Sequence, residues 1–281
     1  MSKVFSWPQM IAANNISGID RYLPPVFYCR LDQVRVFWLL FRLALMVVFL
    51  SSTISHAQDY AREQRLADEI LPGLLVGDPI RLPARDGRSF LGILSKGKTD
   101  LRPIILVHGV GTHPDAGVIG QLRQALNDLG HTTLSIQMPV QGRAASLEDY
   151  YPSVFAEAKE RIGQAVKWMA EQGESKPALL SHAMGSWMAN EYLDEHHRRA
   201  EFSAWICMSL TGGYSWTARS FALPVLDLYA ESDIPAAVSS AWRRSLALTG
   251  IDSRQLQVKG AAPDYSGYER AVATEISRFL R

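Results

Sequence analysis

The sequence predicts a doubly wound, mostly parallel α/β sheet with an antiparallel hairpin at its start. Three features carry that expectation. From Pro103 onward, short apolar runs alternate with amphipathic segments of helical spacing, the rhythm that right-handed crossovers wind into one parallel sheet. The first run, Ile104-Ile105-Leu106-Val107, is apolar without a break, as a strand covered on both faces has to be. Ahead of it, Arg85-Asp86-Gly87-Arg88 separates two alternating runs, and Asp-Gly between such runs signals a hairpin.

In chain order, residues 60–70 space small apolar and charged side chains as an amphipathic helix does and stop before Pro72-Gly73. Hairpin strands are expected over 79–84 and 89–95. Strand 104–107 leads to a helix over 118–129 that Gly130 ends, a strand over 132–138 and a long amphipathic helix over 151–171. A strand over 178–180 runs into a helix over 184–197, and strands follow over 204–210 and 225–230. A helix over 236–248, a strand over 255–258 and a helix over 268–280 complete the series. No repeat, low-complexity tract or linker interrupts it, so one domain is expected over 58–281. Only about a dozen residues separate Leu210 from Pro224, which leaves no room for a large lid domain.

Composition narrows the partners. The 281 residues are 47% apolar and 20% charged, ordinary for a globular protein. A formal charge of +1 lacks the basic stripe of a nucleic-acid binder. Residues 36–41 and 43–50 are apolar around Arg42, Arg30 and Arg35 precede them, and Ser55-His56-Ala57 puts small residues at the −3 and −1 positions of a cleavage site. That is the layout of a signal peptide. Residues 1–57 are therefore expected to be an N-terminal extension and signal peptide, cut near Ala57, and the mature chain to be periplasmic or secreted. The alternative is an N-terminal membrane anchor, although the unbroken run 43–50 is short against the roughly 18–20 residues of a span. Cleavage would remove five of 29 basic and two of 28 acidic residues, leaving 24 and 26 and a net charge of −2. Cys29 and Cys207 fall on opposite sides of the cut, and Cys207 in its apolar run reads as a small hydrophobe. Neither a disulfide framework nor zinc spacing is present.

Ligands of doubly wound sheets bind outside the carboxyl ends of the strands, so the residues ending each strand carry the functional reading. Strand 104–107 ends in His108-Gly109-Val110-Gly111, a turn that aims backbone amides outward. Strand 178–180 ends in Ser181-His182-Ala183-Met184-Gly185-Ser186 and passes directly into a helix. Strand 225–230 ends in Glu231-Ser232-Asp233.

These three ends, in this order, resemble the α/β-hydrolase superfamily over nearly all of 81–281. Its nucleophile elbow usually reads Gly-His-Ser-Met-Gly-Gly with the nucleophile at the tip. Here Ser181 stands for the first Gly, Ala183 for the nucleophile, Gly185 for the next Gly and Ser186 for the last. More narrowly, 108–138 and 225–280 resemble an uncharacterised family of exported bacterial α/β-hydrolase-like proteins. The resemblance implies Asp233 as the triad acid and an oxyanion hole from the amides of Val110 and Met184, with His108, Gly109 and His182 around the pocket. It also implies a histidine in a Gly-Ala-x-His segment after the last strand. That segment is Gly260-Ala261-Ala262-Pro263-Asp264, so Pro263 stands where the base is expected. A one-residue slip would put Asp264 there instead.

A serine hydrolase needs a hydroxyl to attack, an imidazole to take its proton and a carboxylate to orient the imidazole. Losing the Ser or the His of such a triad costs about 10⁶ in kcat. The expectation is a hydrolase homologue with a vestigial acid, Asp233, beside a degenerate nucleophile at Ala183 and a degenerate base at Pro263. Its partner would be a small apolar or ester-like ligand, with no nucleic acid, no cofactor and no membrane span in the mature domain. The alternative is an esterase- or peptidase-like hydrolase with a displaced nucleophile among Ser181, Ser186 and Ser209. His113 is the nearest stand-in for a base. His108, His113 and Asp115 match no regular metal-ligand spacing. Tyr214 and Trp216 are candidates for the pocket mouth.

Overall fold

The computed structural model describes residues 58–98, 100–142, 153–174, 176–215, 223–248 and 252–281, together with Trp38. The expected signal segment lies outside them, Trp38 apart. The chain divides into two units, Met1–Thr53 and Ile54–Arg281, and every strand among the described residues lies in the second.

Helix α1 (Tyr60–Ile70) opens that unit, and the Asp59 carboxylate caps it by accepting the Arg62 amide at 2.8 Å. Strands β1 (Asp78–Pro83) and β2 (Ser89–Ser95) pair antiparallel, with Gly87 at φ 83° in the turn between them. The series continues through β3 (Ile104–Val107), α2 (Gly117–Asp128), β4 (Thr133–Ile136) and α3 (Phe155–Glu171). Next come β5 (Ala178–His182), α4 (Met184–Asp194) and β6 (Ala204–Met208). The last elements are β7 (Val225–Ala230), α5 (Pro235–Ala247), β8 (Arg254–Val258) and α6 (Glu269–Phe279). The strands form one sheet in the order β1-β2-β4-β3-β5-β6-β7-β8. All pairings from β4 to β8 are parallel, and β2 joins β4 antiparallel.

Strand alternation divides the core between the two faces of the sheet. Ile105 and Val107 of β3 pack with Ala158 and Ile162 of α3 and Met188 and Leu193 of α4. Ile104 and Leu106 point the other way, to Leu122 and Leu126 of α2 and Val272 and Ile276 of α6. Fully burying a Leu or Ile contributes about 1.5–3 kcal/mol relative to exposure. β6 and β7 are joined by sixteen residues (209–224), too few for a lid domain.

Several expected boundaries move, and three of them do so for a visible local reason. β4 ends at Ile136 rather than 138, because the Met138 amide turns to donate to His108 Nε2 at 2.9 Å. β6 ends at Met208 rather than 210, because Ser209 takes φ 54°, which an extended strand cannot continue. The helix expected over 184–197 stops at Asp194. Glu195 is extended, a 3₁₀ turn His196–Glu201 follows, and Arg199 of that turn donates to the carbonyls of Leu193 and Asp194. Of the helix expected from 151, residues 151 and 152 lie outside the described residues, and α3 begins at Phe155.

Candidate active site

Ala183 sits alone between β5 and α4 with φ 53° and ψ −119°. A non-glycine residue held there stores about 1–3 kcal/mol and persists only where its surroundings enforce it. Here the Ala183 amide donates to the Met208 carbonyl at 3.0 Å, and the Ala183 carbonyl accepts the Ser186 amide at 2.9 Å. Gly185 allows the turn to close. A Cβ there would lie 2.5 Å from the His108 carbonyl oxygen and 2.7 Å from that of Val107. α4 therefore starts directly against the end of β3.

The serines beside the tip are committed elsewhere. Ser181 Oγ accepts the Trp205 indole N–H at 2.9 Å and faces the Ile206 carbonyl at 3.4 Å. Ser186 Oγ donates to the Met208 carbonyl at 2.8 Å. Both side chains are buried. At the tip itself the side chain is the Ala183 methyl, half-buried.

The His108–Gly111 turn comes up against that methyl: a Cβ on Gly109 would lie 3.7 Å from Ala183 Cβ. The turn that carries Val110 therefore adjoins the elbow at Ala183. Met184 is the first residue of α4, where an amide has no intrahelical acceptor. His108 holds the turn from behind. Its Nε2 accepts the Met138 amide, so Nδ1 carries the proton and donates to the Gly109 carbonyl at 2.7 Å. Complete burial drives its pKa down to about 3, which makes it a neutral bracket.

That bracket gives a pH prediction. Unfolded, a histidine takes up its proton near pH 6.5; folded, His108 does so only near pH 3. The unfolded state therefore binds the extra proton as pH falls below 6.5, and stability present above 6.5 is lost toward pH 3. The slope is about 1.4 kcal/mol per pH unit for one proton. Burial also lowers the pKa of His113, His131 and His182, adding to the slope, while burial of Glu63 raises its pKa and opposes it. The clean reading is a difference. His108→Gln can keep an acceptor for the Met138 amide, and denaturant melts between pH 6.5 and 5 should show its slope shallower than wild type by about one proton. An equal slope would mean that His108 titrates in the fold.

Asp233 follows β7 at the same edge and is 7% exposed. No histidine hydrogen-bonds to it among the described residues. Its Oδ1 accepts the Ile234 amide at 2.8 Å, and its Oδ2 accepts the Ala230 amide at 3.1 Å and the Ser209 hydroxyl at 2.6 Å. Ser209 Oγ lies 3.0 Å from the hydroxyl of Tyr265. Pro263 contributes only its carbonyl oxygen, 3.1 Å from His182 Nε2. The His182 ring meets Tyr265 edge-on at 5.9 Å. Ala183, His182, Pro263 and Asp233 thus share one end of the sheet, and the hydroxyls of Ser209 and Tyr265 stand against the acid. Sequence reading missed Tyr265. It lies two residues beyond the expected base in Pro263-Asp264-Tyr265, and no spacing rule marks it.

His113 turns away from the acid. Its Nδ1 accepts the Asp115 amide at 3.3 Å, and Asp115 and Glu69 are the charges that act on it. Among the described residues, no three His, Cys, Asp or Glu side chains group to hold a metal, and no helix is long and apolar enough to cross a membrane. Tyr214 packs inward, its ring 5.6 Å from that of Trp205, so it is a wall of the core rather than a rim. Trp216 lies outside the described residues.

Helix α1 reaches the same edge. Arg62 donates to the carbonyls of Gln141 at 2.6 Å and Gly111 at 3.3 Å, and the Asp59 amide donates to the Val140 carbonyl at 2.6 Å. Arg161 of α3 fixes the helix with a two-pronged bond to the Glu63 carboxylate at 2.9 and 3.0 Å.

Solved structures of similar shape have this same arrangement of strands and helices. Est1E from Butyrivibrio proteoclasticus is 14% identical with a TM-score of 0.55, over 73% of this chain and 97% of that one. An alpha-beta serine hydrolase homologue from Coxiella burnetii is 14% identical with a TM-score of 0.57, over 74% and 99%. The dienelactone hydrolase of Anabaena variabilis is 15% identical with a TM-score of 0.55, over 73% and 98%. The chain has the α/β-hydrolase fold. A family model described as a protein of unknown function (DUF3530) matches residues 43–160, so within this α/β-hydrolase fold the match stops short of Ala183, Asp233 and Pro263. No curated protein matches the sequence.

Proposed function

We propose that this chain is an exported α/β-hydrolase-fold protein of the cell envelope that binds a small apolar or ester-like ligand at its elbow without hydrolysing it. The observation that carries this reading is the methyl of Ala183 at the strained tip, where an acyl-transfer enzyme needs a nucleophile. The bonding of the neighbouring serines supports it. Ser181 and Ser186 are buried on backbone carbonyls, and Ser209 gives its proton to Asp233. Among the described residues none has an imidazole within hydrogen-bond reach, so the displaced-nucleophile alternative lacks its base there. The His108–Gly111 turn standing against Ala183 supports binding, since backbone amides beside an elbow would suit a carbonyl or carboxylate oxygen. Among proteins of similar fold, one structure has ferulic acid bound to Est1E, an example of a small acid held on this scaffold. Export rests on the signal-like layout of 1–57.

The test uses protein secreted or extracted from the envelope. Its N-terminus is expected at Gln58. A fluorophosphonate probe is expected to leave every serine unlabelled, and p-nitrophenyl acetate to be hydrolysed at the rate without protein. Short acyl esters and their acids, screened by melting temperature, are expected to include a stabiliser, because a ligand that binds only the folded state raises Tm. Labelling of a serine would replace binding with catalysis. A chain retaining residues 36–50 would replace export with anchoring.

A further inference from the structure

We propose that Ser209 and Tyr265 have taken over the place of a triad histidine, turning Asp233 from a catalytic acid into a buried structural acceptor and closing the site a third time. The inference rests on the non-hydrolytic reading above and adds a lock that the sequence does not reveal. The hydrogen bonds fix the order of the chain. Both carboxylate oxygens accept backbone amides, from Ile234 and Ala230, so Asp233 is the acceptor. Ser209 has one hydroxyl proton, and it points to Oδ2 at 2.6 Å. The contact of 3.0 Å between Ser209 Oγ and the Tyr265 hydroxyl is then donated by Tyr265. Burial raises the Tyr265 pKa, which keeps the phenol protonated as that donor.

A carboxylate oxygen has two lone-pair positions, and those of Oδ2 are filled by Ser209 and Ala230. An imidazole approaching on the Oδ2 side would have to displace the Ser209 hydroxyl, which would turn to the Tyr265 oxygen 3.0 Å away and lose its stronger, charge-assisted bond to the carboxylate. Ser209 and Tyr265 are buried, and each is held at φ 54°, in the left-handed region that side chains other than glycine avoid. Two strained residues from different loops therefore converge on one carboxylate. The lock joins the ends of β6 and β7 to the loop after β8, where Pro263 also engages His182. On this reading, restoring serine and histidine does not by itself restore a triad through Oδ2 while the hydroxyl pair holds that oxygen.

Four full-length variants test this with a fluorophosphonate: Ala183→Ser; Ala183→Ser with Pro263→His; that pair with Ser209→Ala and Tyr265→Phe; and Ser209→Ala with Tyr265→Phe alone. The serine–histidine pair is expected to label no faster than Ala183→Ser. Removing both hydroxyls as well is expected to raise labelling at least tenfold, and the last variant to stay unlabelled. Tenfold faster labelling of the pair with both hydroxyls intact would overturn the lock. So would a folded quadruple variant that labels no faster than the pair. A second measurement needs no revived chemistry: in a cycle of Ser209→Ala and Asp233→Ala, the Tm losses should be less than additive, since each breaks the same bond. Additive losses would overturn the proposal. Labelling of wild type would instead sink the non-hydrolytic reading and leave the cycle to judge the hydroxyl pair.

Discussion

Gly185→Val is expected to yield no folded protein, and Gly185→Ala to melt roughly 6–12 °C below wild type. The Cβ of either would meet the His108 carbonyl oxygen at 2.5 Å and the Val107 oxygen at 2.7 Å. Those atoms cannot yield as a flexible side chain would, because β3 is hydrogen-bonded to β4 on one side and β5 on the other. Overpacking a core costs typically about 1–3 kcal/mol and occasionally more. An obstacle made of central backbone puts alanine at about 3 kcal/mol, and each kcal/mol moves Tm by about 2–4 °C in a domain of this size. Valine adds two methyl groups to the same clash, against a total stability of about 5–15 kcal/mol. Gly213→Ala is the control. Nothing lies within 4 Å of its Cβ position, so it should melt within about a degree or two of wild type. Circular dichroism melts of the three variants decide the matter. A Gly185→Ala protein that melts with wild type would mean that α4 does not start against β3.

The elbow was legible because its constraint is local. A strand passing into a helix in a single residue forces that residue's backbone, and Ser181, Ala183 and Gly185 supply small side chains at alternate positions of the turn. The buried strands were legible for the same reason, since Ile104–Val107 needs only apolar side chains on both faces. What stayed hidden depends on groups far apart in sequence. Ser209 and Asp233 are 24 residues apart and Ser209 and Tyr265 are 56 apart, and neither periodicity nor spacing links them. Charge gives no sign of them either. Arginine is expected at the surface, yet Arg123, Arg161 and Arg244 are buried. Each is drawn inward by a carboxylate, Asp115, Glu63 and Asp227 in turn, and pairing overrides the cost of burial only in the folded arrangement. The docking of α1 onto Gly111 and Gln141 through Arg62 belongs to the same class of long-range contact.

Arg244→Met is expected to cost about 3–5 kcal/mol, the penalty for leaving a buried charge without its partner. Arg244 and Asp227 are both fully buried, with Nε 2.8 Å from Oδ2. Without the guanidinium, the neutral Gln255 amide still donates to Asp227, at 2.6 Å. A neutral donor does not replace a cation in an interior of low dielectric. The same arginine holds the loop after β6, donating to the carbonyls of Leu210 at 2.6 Å and Gly212 at 3.3 Å. Those residues adjoin Ser209, so the variant should also speed amide exchange over 209–213 beyond the rise that lowered stability causes elsewhere. Pairing Arg244→Met with Asp227→Leu separates the two effects. Removing both charges should restore much of the stability, since buried pairs replaced by apolar side chains of similar volume are often no less stable. The carbonyls of Leu210 and Gly212 would still lack their donor, so exchange at 209–213 should stay fast. Denaturant unfolding gives the first quantity and hydrogen exchange the second. A loss below about 1 kcal/mol for Arg244→Met would mean that water reaches Asp227 and that the pair belongs to the surface class.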